Sequence, residues 1–289
     1  MNQKDIDQKG MGQKETAQKE TAQKDTAQTK DPLWETIHGE VTLLLQQEPL
    51  LASFFYDAVV SHKSLEEALA YNLAAQMDNS VLSALTIREV FVEALSAEPA
   101  IGDSMRKDLT AYVERDPACD QYCLPLLYFK GFHALQIYRV ANWLWRNGRQ
   151  SIALYLQNRV SEIFAVDIHP GAEIGSGIMI DHATGLVIGE TTVIGDNVSM
   201  LHSVTLGGTG SHAGDRHPKI RCGVLIAAGA KILGNIEVGE GAKIGAGSLV
   251  LEPVPAHTTV AGVPAKIVGH PTEAEPAREM DQRIDGDGI

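Results

Sequence analysis

The sequence has few cysteines, a shortage of basic residues and no long apolar run. Its three cysteines, Cys119, Cys123 and Cys222, form neither an even set nor a zinc-binding spacing, so we expect free thiols in a reducing compartment and no disulfide. The 24 basic residues stand against 37 acidic ones, which argues against nucleic-acid binding because phosphate contacts need clustered cations. No segment resembles a signal peptide or a membrane span. We therefore expect a cytoplasmic protein with no membrane attachment.

Both ends of the chain lack the apolar residues that a core needs. Residues 13–27 read QKETA, QKETA and QKDTA, and such a polar repeat cannot bury enough surface to offset the entropy of ordering. The segment that begins at residue 271 is polar and shows no periodicity. We therefore predict a disordered tail over residues 1–31 and a flexible tail over residues 271–289.

Residues 32–165 carry the apolar spacing of helices. Trp34, Ile37 and Val41 fall on one stripe, and later segments repeat this spacing. The stretch 131–164 holds many large apolar residues and predicts one long helix whose side chains pack into a core. Apolar residues on more than one helix face favour a domain that packs against itself and against another subunit.

After residue 166 the period of the aliphatic residues changes to six. They open successive hexads at Ile168, Ile174, Ile180, Ile188, Ile194, Met200, Leu206, Ile220, Ile226, Ile232, Val238, Ile244 and Val250. A two-residue insertion follows Ile180, and residues 207–219 form a longer interruption. A second small or branched residue, such as Thr184, occupies the fifth position of most hexads. This period predicts short strands stacked as three-sided coils, with one aliphatic side chain per strand pointing inward.

Several motifs give the chain a resemblance to a known family. They are VDIHP at 166–170, DHATG at 181–185, VTLGGTG at 204–210, GDRHPKI at 214–220, AGAKILGNI at 228–236, IGAGSLVL at 244–251, AGVPAKIVG at 261–269 and GDGI at the end of the chain. Together with the hexads, they resemble the hexapeptide-repeat acyltransferases and, within them, the serine acetyltransferases. The resemblance covers most of the chain from about Pro32 onward.

The resemblance implies an α+β fold, with an α-helical oligomerisation domain over residues 32–165 and a left-handed parallel β-helix over residues 166–270. It also implies trimers formed through the β-helix and hexamers formed by pairing two trimers. The implied activity moves the acetyl group of acetyl-CoA to the hydroxyl of L-serine, the first step of cysteine biosynthesis. Acetyl-CoA would be a co-substrate, and no permanently bound cofactor or metal is implied.

The reaction needs a base, because an alcohol is too weakly acidic to attack a thioester at neutral pH. A neutral imidazole can act as that base. In this family it is the histidine of DHATG, here His182. The resemblance also implies that the aspartate of VDIHP, here Asp167, fixes the tautomer of this histidine.

An amino-acid acceptor needs charges of both signs in its pocket. The resemblance implies that Arg216 and His217 hold the serine carboxylate. Asp116 and Asp181 would meet the ammonium group. The family also implies feedback inhibition by L-cysteine, which would occupy the same pocket.

The hexad count itself predicts where CoA lies. If three hexads make one coil, the hexads that begin at 180, 200, 226, 244 and 262 stack about 4.8 Å apart on one side of the prism. Their third residues are His182, His202, Ala228, Ala246 and Pro264. We predict that CoA runs along this column beside the small alanines, with hydrogen bonds from Gly208 and phosphate contacts from Lys243 or Lys266.

The closing GDGI resembles the tail of serine acetyltransferases. In that family the terminal carboxylate enters the active site of O-acetylserine sulfhydrylase. Ile289 would be the anchor here, since an apolar side chain beside a free carboxylate mimics an amino-acid substrate. The sequence does not explain the QKETA repeats.

Three alternatives remain open from the sequence. An acyltransferase with a sugar or another amine as acceptor explains the repeats, but not Arg216, His217, Asp116 and the terminal motif together. A metal-dependent hydratase comparable to the γ-type carbonic anhydrases could use His182, His202 and His217, although the ligand spacing of that family is absent. A catalytically silent scaffold could regulate the sulfhydrylase alone.

Overall fold

The computed structural model describes residues 31–210 and 213–284. Its helices are α1 Pro32–Gln47, α2 Ala52–Phe55, α3 Leu65–Met77, α4 Ala84–Ala97, α5 Ala100–Arg115, α6 Cys123–Tyr128, α7 Lys130–Arg146, α8 Gln150–Phe164 and α9 Pro276–Glu279, with a 3₁₀ turn at Pro49–Leu51 and a π-helical turn at Tyr56–Val60. In the part of the chain that the structure describes, no helix combines the length and apolar character needed to cross a membrane.

The strands follow the helical domain. They are β1 Val166–Ile168, β2 Glu173–Ile174, β3 Met179–Ile180, β4 Leu186–Ile188, β5 Val193–Ile194, β6 Ser199–Met200, β7 Thr205–Gly207, β8 Lys219–Ile220, β9 Leu225–Ile226, β10 Lys231–Leu233, β11 Glu237–Val238, β12 Lys243–Ile244, β13 Leu249–Val250, β14 Thr259–Gly262 and β15 Ala265–Gly269.

Local side chains explain where several helices begin. Asp31 caps α1, since its Oδ1 accepts a hydrogen bond from Leu33 N at 3.1 Å. Ser64 and Ser83 cap α3 and α4 in the same way. Each cap satisfies a backbone N–H that has no partner inside the helix.

The single long helix expected over residues 131–164 is wrong, because the chain forms two helices there. The break lies at residues 147–149, where Gly148 adopts a φ of 75°. A left-handed residue at the end of a helix turns the chain away from the helix axis, and glycine adopts it without steric cost. Helices α7 and α8 then pack against each other.

The strands form a three-sided parallel β-helix, as the hexads predicted. One side contains β1-β4-β7-β10-β13, the second contains β2-β5-β8-β11, and the third contains β3-β6-β9-β12-β14 with β15 added antiparallel. The aliphatic residues that open the hexads point into the prism. All are buried except Ile174, which is half-buried. The period of six therefore identified both the coil and its core.

The regular spacing of the hexads breaks at the two-residue insertion. Thr184, at the fifth position of its hexad, is exposed. Leu186 is fully buried in its place. The insertion leaves the prism as a protruding turn, so the inward position must be counted backward from the next strand.

The hexad count was wrong near the end of the β-helix. Val254 bridges Val238 only four residues after Val250, so this hexad is two residues short. As a result Val260 aligns with Ile244. Pro264 is therefore not the fifth member of the predicted column and lies between β14 and β15.

Helix α5 covers the free edge of the first strand on the third side. Asp108 Oδ1 accepts a hydrogen bond from Ile178 N at 2.9 Å. One helical turn later, the Tyr112 hydroxyl accepts from Ile180 N at 3.1 Å and donates to Ile180 O at 3.0 Å. The backbone groups of β3 that face away from β6 thus find partners on the helix.

Helix α7 covers the neighbouring part of the first coil. Tyr138 donates to Ala172 O at 2.5 Å, and Asn142 donates to the same carbonyl at 3.0 Å. Arg139 donates to Gly175 O at 2.7 Å and forms a buried ion pair with Asp108 at 2.6 Å. Side chains of two helices therefore close the open end of the β-helix, as the terminal caps of other solenoids do.

The C-terminal segment lies against the third side of the β-helix. Ala277 is buried, and its carbonyl accepts a hydrogen bond from Ser199 Oγ at 2.8 Å. Lys243 Nζ donates to Arg283 O at 2.6 Å. The expectation of a flexible tail from residue 271 did not include these contacts. Of the tail predicted over residues 1–31, residues 1–30 lie outside the described residues, as do residues 285–289, whereas Asp31 is described and caps α1.

The buried ion pair predicts a large loss of stability on truncation. Asp108→Ala should lower the free energy of unfolding by about 3–5 kcal/mol, because it leaves the Arg139 charge buried without its carboxylate partner. Urea denaturation of the purified protein measures this loss. Glu98→Ala is the control, since Glu98 pairs with Arg146 at 2.8 Å on the exposed surface and should cost about 1 kcal/mol or less. Equal losses in the two variants would contradict this account.

Candidate active site

The two-residue insertion in the hexads forms a turn over residues 181–185 that carries the predicted base. His182 and Ala183 have φ values of 58° and 60°, and this left-handed region is costly for residues with a Cβ. Ala183 is fully buried, whereas the His182 side chain is 71 % exposed. The turn therefore holds the imidazole outside the prism, where a ligand can reach it.

A cavity of about 580 Å³ opens beside His182, between the helical domain and the first coil. Asp116, which follows the last residue of α5, and Asp181 both line it, together with Lys130. The rest of the lining is mostly apolar or aromatic and includes Tyr112, Ala118, Tyr128, Phe129 and Ile180. The two predicted ammonium-binding carboxylates thus share one cavity with the predicted base.

The carboxylates of this cavity affect each other. His182 Nε2 lies 3.4 Å from Asp181 Oδ2. Burial raises the pKa of Asp181, and the negative charge of Asp116 raises it further, although His182 acts in the opposite direction. A cation bound between the two carboxylates would relieve their repulsion.

The predicted column of residues continues from His182 along the third side of the prism. The rings of His182 and His202 lie edge to face, with centroids 5.8 Å apart. His202 O accepts a hydrogen bond from Gly229 N at 2.9 Å, so the next coil stacks directly on it. Ala228 and Ala246 follow on the two succeeding coils, and neither is fully buried. The column therefore has two imidazoles followed by two small side chains.

A second polar cluster occupies the corner after β4. Arg216 is paired with Glu190 at 2.7 Å, and Arg216 N donates to Thr191 Oγ1 at 3.0 Å. His217 is buried, with its Nδ1 2.9 Å from Thr191 Oγ1. Its ring lies over Gly189, where a Cβ would come within 2.1 Å of the imidazole. Glycine is therefore required at this position if the ring is to stay in place.

The two imidazoles near this second cluster, those of His217 and His169, have lowered pKa values. Burial lowers the pKa of His217, and the charge of Arg216 lowers it further. Burial also lowers the pKa of His169, opposed by the carboxylates of Glu190 and Asp167. Since the ordinary histidine value lies near 6.5, both rings are largely uncharged at pH 7, and Arg216 supplies a fixed positive charge beside them.

The two clusters lie at opposite ends of one strand. The turn 181–185 precedes β4, and residues 189–191 follow it. A three-residue strand separates its ends by roughly 10 Å. Among the described residues, neither Arg216 nor His217 lines the cavity beside His182. The predicted carboxylate-binding and ammonium-binding residues are therefore not brought together within one chain.

Asp167 does not contact His182 within one chain, although the sequence analysis predicted it as the partner of that histidine. It lies in β1, where its Oδ1 accepts a hydrogen bond from Gln157 Nε2 at 2.6 Å. In the described chain, no hydrogen bond or ion pair joins Asp167 to His182, and the carboxylate beside the imidazole is Asp181. The topology explains the separation. Asp167 aligns with Val187, in the middle of the side that contains β1 and β4, whereas His182 projects from the corner that precedes β4.

The predicted CoA contacts lie in different environments. Gly208 is exposed. It lies beside Arg216, because a Cβ built on Gly208 would be 3.5 Å from Arg216 O. Lys266 is exposed on β15. Lys243 is buried beneath the C-terminal segment, and its ammonium group is bonded to Arg283 O. The C-terminal segment therefore occupies the ammonium group of Lys243, and its contact with a CoA phosphate stays a prediction.

The structure adds residues that the sequence analysis missed. Glu190 and Thr191 could have been found by counting coils, because the alignment of Ile188 with Leu206 places them beside the long interruption that follows Leu206. Lys130 donates to Thr184 Oγ1 at 2.5 Å and so joins α7 to the turn of His182. No sequence pattern indicates this contact, because its two residues lie in different domains.

Two further expectations concern other parts of the chain. The histidines of the hydratase alternative are split, since His182 and His202 share one corner and His217 lies at another. Over residues 31–210 and 213–284, no group of three metal-ligating side chains is found. Ile289, the predicted anchor for the sulfhydrylase, lies outside the described residues.

Family models and curated relatives agree with this geometry. Residues 33–137 match the model for the N-terminal region of serine acetyltransferases, and residues 217–252 match the model for bacterial transferase hexapeptide repeats. The serine acetyltransferase of Salmonella typhimurium is 58 % identical over 254 residues, covering 88 % of this chain and 93 % of that protein.

Solved structures match over nearly the same length. A serine acetyltransferase in complex with cysteine is 54 % identical, with a TM-score of 0.85 over 87 % of this chain and 98 % of that one. The serine acetyltransferase from Brucella abortus in complex with coenzyme A is 51 % identical, with a TM-score of 0.83 over 85 % of this chain and 98 % of that one. Both the helical domain and the β-helix are therefore shared, and the chain belongs to the serine acetyltransferase family.

Proposed function

We propose that this protein moves the acetyl group of acetyl-CoA to the hydroxyl of L-serine, giving O-acetyl-L-serine and CoA, with His182 as the general base. The observation that carries the proposal is an exposed imidazole on a strained turn, in one cavity with two carboxylates. Family membership supports the reaction, and the related structures with coenzyme A and with cysteine support the two classes of ligand.

The imidazole would act twice in one turnover. Neutral His182 accepts the proton of the serine hydroxyl as the oxygen attacks the thioester carbonyl. The tetrahedral intermediate then expels the CoA thiolate, which takes the proton from the imidazolium. Asp181, with Oδ2 3.4 Å from Nε2, would stabilise the imidazolium between these steps. No covalent acyl-enzyme is needed, and Cys222 takes no part.

The acceptor pocket suits the ammonium end of serine. Asp116 and Asp181 both line the cavity beside His182, and burial together with the charge of Asp116 raises the pKa of Asp181. An ammonium group placed there would offset the repulsion between the carboxylates. L-cysteine has the same ammonium and carboxylate groups, so it would occupy this pocket as a feedback inhibitor.

The carboxylate end of serine would be held by a neighbouring subunit. Arg216 and His217 lie at the other end of β4 from His182, so one chain supplies only half of the pocket. A trimer of β-helices would place the second cluster of one subunit against the cavity of the next, and two such trimers would make the hexamer. Asp167 lies near the second cluster, where its charge acts on His169, so a partnership with His182 would also cross the subunit boundary.

Acetyl-CoA would lie along the column above His182. Ala228 and Ala246 leave room for the pantetheine arm to approach the backbone, since neither side chain is fully buried. Gly208 would contribute a backbone amide, and Lys266, exposed on β15, or Lys243 would contact the phosphates.

The cellular role follows from the reaction. O-Acetyl-L-serine is an activated amino acid, and we place its formation at the first step of cysteine biosynthesis in the cytoplasm. Binding of O-acetylserine sulfhydrylase through Ile289 stays a prediction, because that residue lies outside the described part of the chain.

The role of the base can be tested directly. His182→Ala should lower kcat by about 100- to 10,000-fold, the usual contribution of a positioned general base. The measurement is serine-dependent release of free thiol from acetyl-CoA. His270→Ala, at an exposed histidine after β15, should keep the wild-type rate. A wild-type enzyme that accepts a sugar instead of L-serine, or that needs a bound metal, would favour one of the alternative functions.

The CoA column makes a steric prediction. Ala228→Leu and Ala246→Leu should each raise the KM for acetyl-CoA by about tenfold, because added methyl groups in a tight groove cost about 1–3 kcal/mol. Ala256→Leu is the matched control, since Ala256 lies in a different pocket with Cys222 and Glu240. An unchanged KM for acetyl-CoA in both column variants would contradict binding of CoA along this column.

The shared pocket can be tested with mixed trimers. His182→Ala and Arg216→Ala should each be nearly inactive alone, because each removes one half of every site. Co-expressed in equal amounts, the two variants should recover about a quarter of the wild-type sites. A site is intact only when one chain supplies His182 and its neighbour supplies Arg216, and each of these conditions holds for about half of the chains. Failure to recover activity in trimers shown by mass spectrometry to be mixed would place both clusters in one chain.

A further inference from the structure

The turn that carries His182 needs outside support. His182 and Ala183 both adopt the left-handed conformation without being glycine, and such strained residues persist only where surrounding contacts hold them. Within the turn, Ala183 N donates to Asp181 O at 2.6 Å and Thr184 N donates to His182 O at 2.7 Å. Backbone bonds also join the turn to the β-helix, since Asp181 N donates to Met200 O and Ser203 N donates to Thr184 O, both at 2.8 Å. The helical domain holds the side of the turn that these bonds leave free.

Tyr112 provides a fixed point immediately before the turn. Its hydroxyl accepts from Ile180 N and donates to Ile180 O, at 3.1 and 3.0 Å, so it holds both backbone groups of one residue. The ring is buried and packs against Phe129 and Phe132, with centroids 5.6 and 6.1 Å away. Burial also raises the pKa of Tyr112 far above its usual range. The phenol therefore stays neutral and can act as donor and acceptor together.

Helix α7 presses on the same backbone. A Cβ on Gly131 would lie 2.1 Å from Ile180 O, 3.1 Å from the Tyr112 hydroxyl and 3.2 Å from Ala183 Cβ. The absence of a side chain at Gly131 therefore lets the helix approach the carbonyl that Tyr112 binds. The residue before the turn is clamped between two helices, with the buried Ala183 in contact with one of them.

The clamp also connects the turn to the rest of the pocket. Asp116 follows Tyr112 by four residues, one helical turn along α5. Tyr112 thus links the element that carries Asp116 to the turn that carries Asp181 and His182. This link is therefore one of the contacts that set the separation of the two carboxylates.

We propose that Tyr112 is a positioning residue for the reaction, which fixes the turn of His182 through both backbone groups of Ile180. Its hydroxyl is occupied by these two bonds, so it does not touch the reacting atoms. The inference rests on the proposed role of His182 as the base. It assigns part of the catalytic rate to a side chain of the helical domain.

The test compares two buried tyrosines at the same interface. Tyr112→Phe keeps the ring and removes the bonds to Ile180, and it should lower kcat about 10- to 100-fold, since a misplacement of about 1 Å can cost that much. The KM for acetyl-CoA should change by less than about twofold, because the column beyond His202 lies on other coils. Tyr138→Phe removes the bond to Ala172 O, far from the turn, and should keep kcat within about twofold of wild type.

The control separates positioning from stability. Thermal melting should show both variants folded at the assay temperature, with the larger loss of stability in Tyr112→Phe, because Asn142 still binds Ala172 O in Tyr138→Phe. A Tyr112→Phe enzyme with the kcat of Tyr138→Phe would overturn the proposal. So would a fall in kcat shared equally by both variants, because the effect would then be a general one of the interface.

A structural readout makes the result independent of activity. Amide hydrogen exchange in residues 181–185 should be faster in Tyr112→Phe than in wild type and unchanged in Tyr138→Phe. If the wild-type protein acetylates no serine, the proposed function fails, whereas the exchange rates still decide whether Tyr112 holds the turn. Identical protection of these amides in all three proteins would refute the clamp even if the enzyme is active.

Discussion

The free edge of the first coil is the constraint on which the rest of the structure depends. Each strand of a parallel β-helix pairs with the coil on either side, but the first coil has no neighbour before it. Its unpaired N–H and C=O groups, each costing about 1–3 kcal/mol if buried without a partner, are met by side chains of α5 and α7. Asp108, Tyr112 and Tyr138 bind three successive parts of this edge. The helical domain is therefore a cap on the first coil of the solenoid.

This cap also determines where the chemistry lies. The stripe of α5 that contains Asp108 and Tyr112 ends at Asp116, so the helix that closes the edge also brings a carboxylate to the first turn of the β-helix. Stability and binding thus share one helix face.

Periodicity predicted the parts of the structure that are local. The aliphatic hexads identified the three-sided coil because each inward position is decided within six residues, and the motifs placed His182, Asp116 and Asp181 at one cavity. Three features could not be predicted in this way: the hydrogen bond of Asp167, the burial of Lys243 and the hydrogen bonds of the Tyr112 hydroxyl. Each depends on a contact between separate elements: α8 against β1 for Asp167, the C-terminal segment over Lys243, and α5 against β3 for Tyr112.

Departures from the repeat, rather than the repeat itself, carry the functional groups. A regular hexad buries one side chain per strand and leaves a short corner, so it can offer only a smooth column such as that of Ala228 and Ala246. The two-residue insertion makes the turn that exposes His182, and the interruption at 207–219 makes the corner that holds Arg216 and His217. The two departures lie at opposite ends of the side that contains β4 and β7, so one chain holds its two groups of predicted residues apart. The positions of the two insertions therefore favour a site completed by a neighbouring subunit.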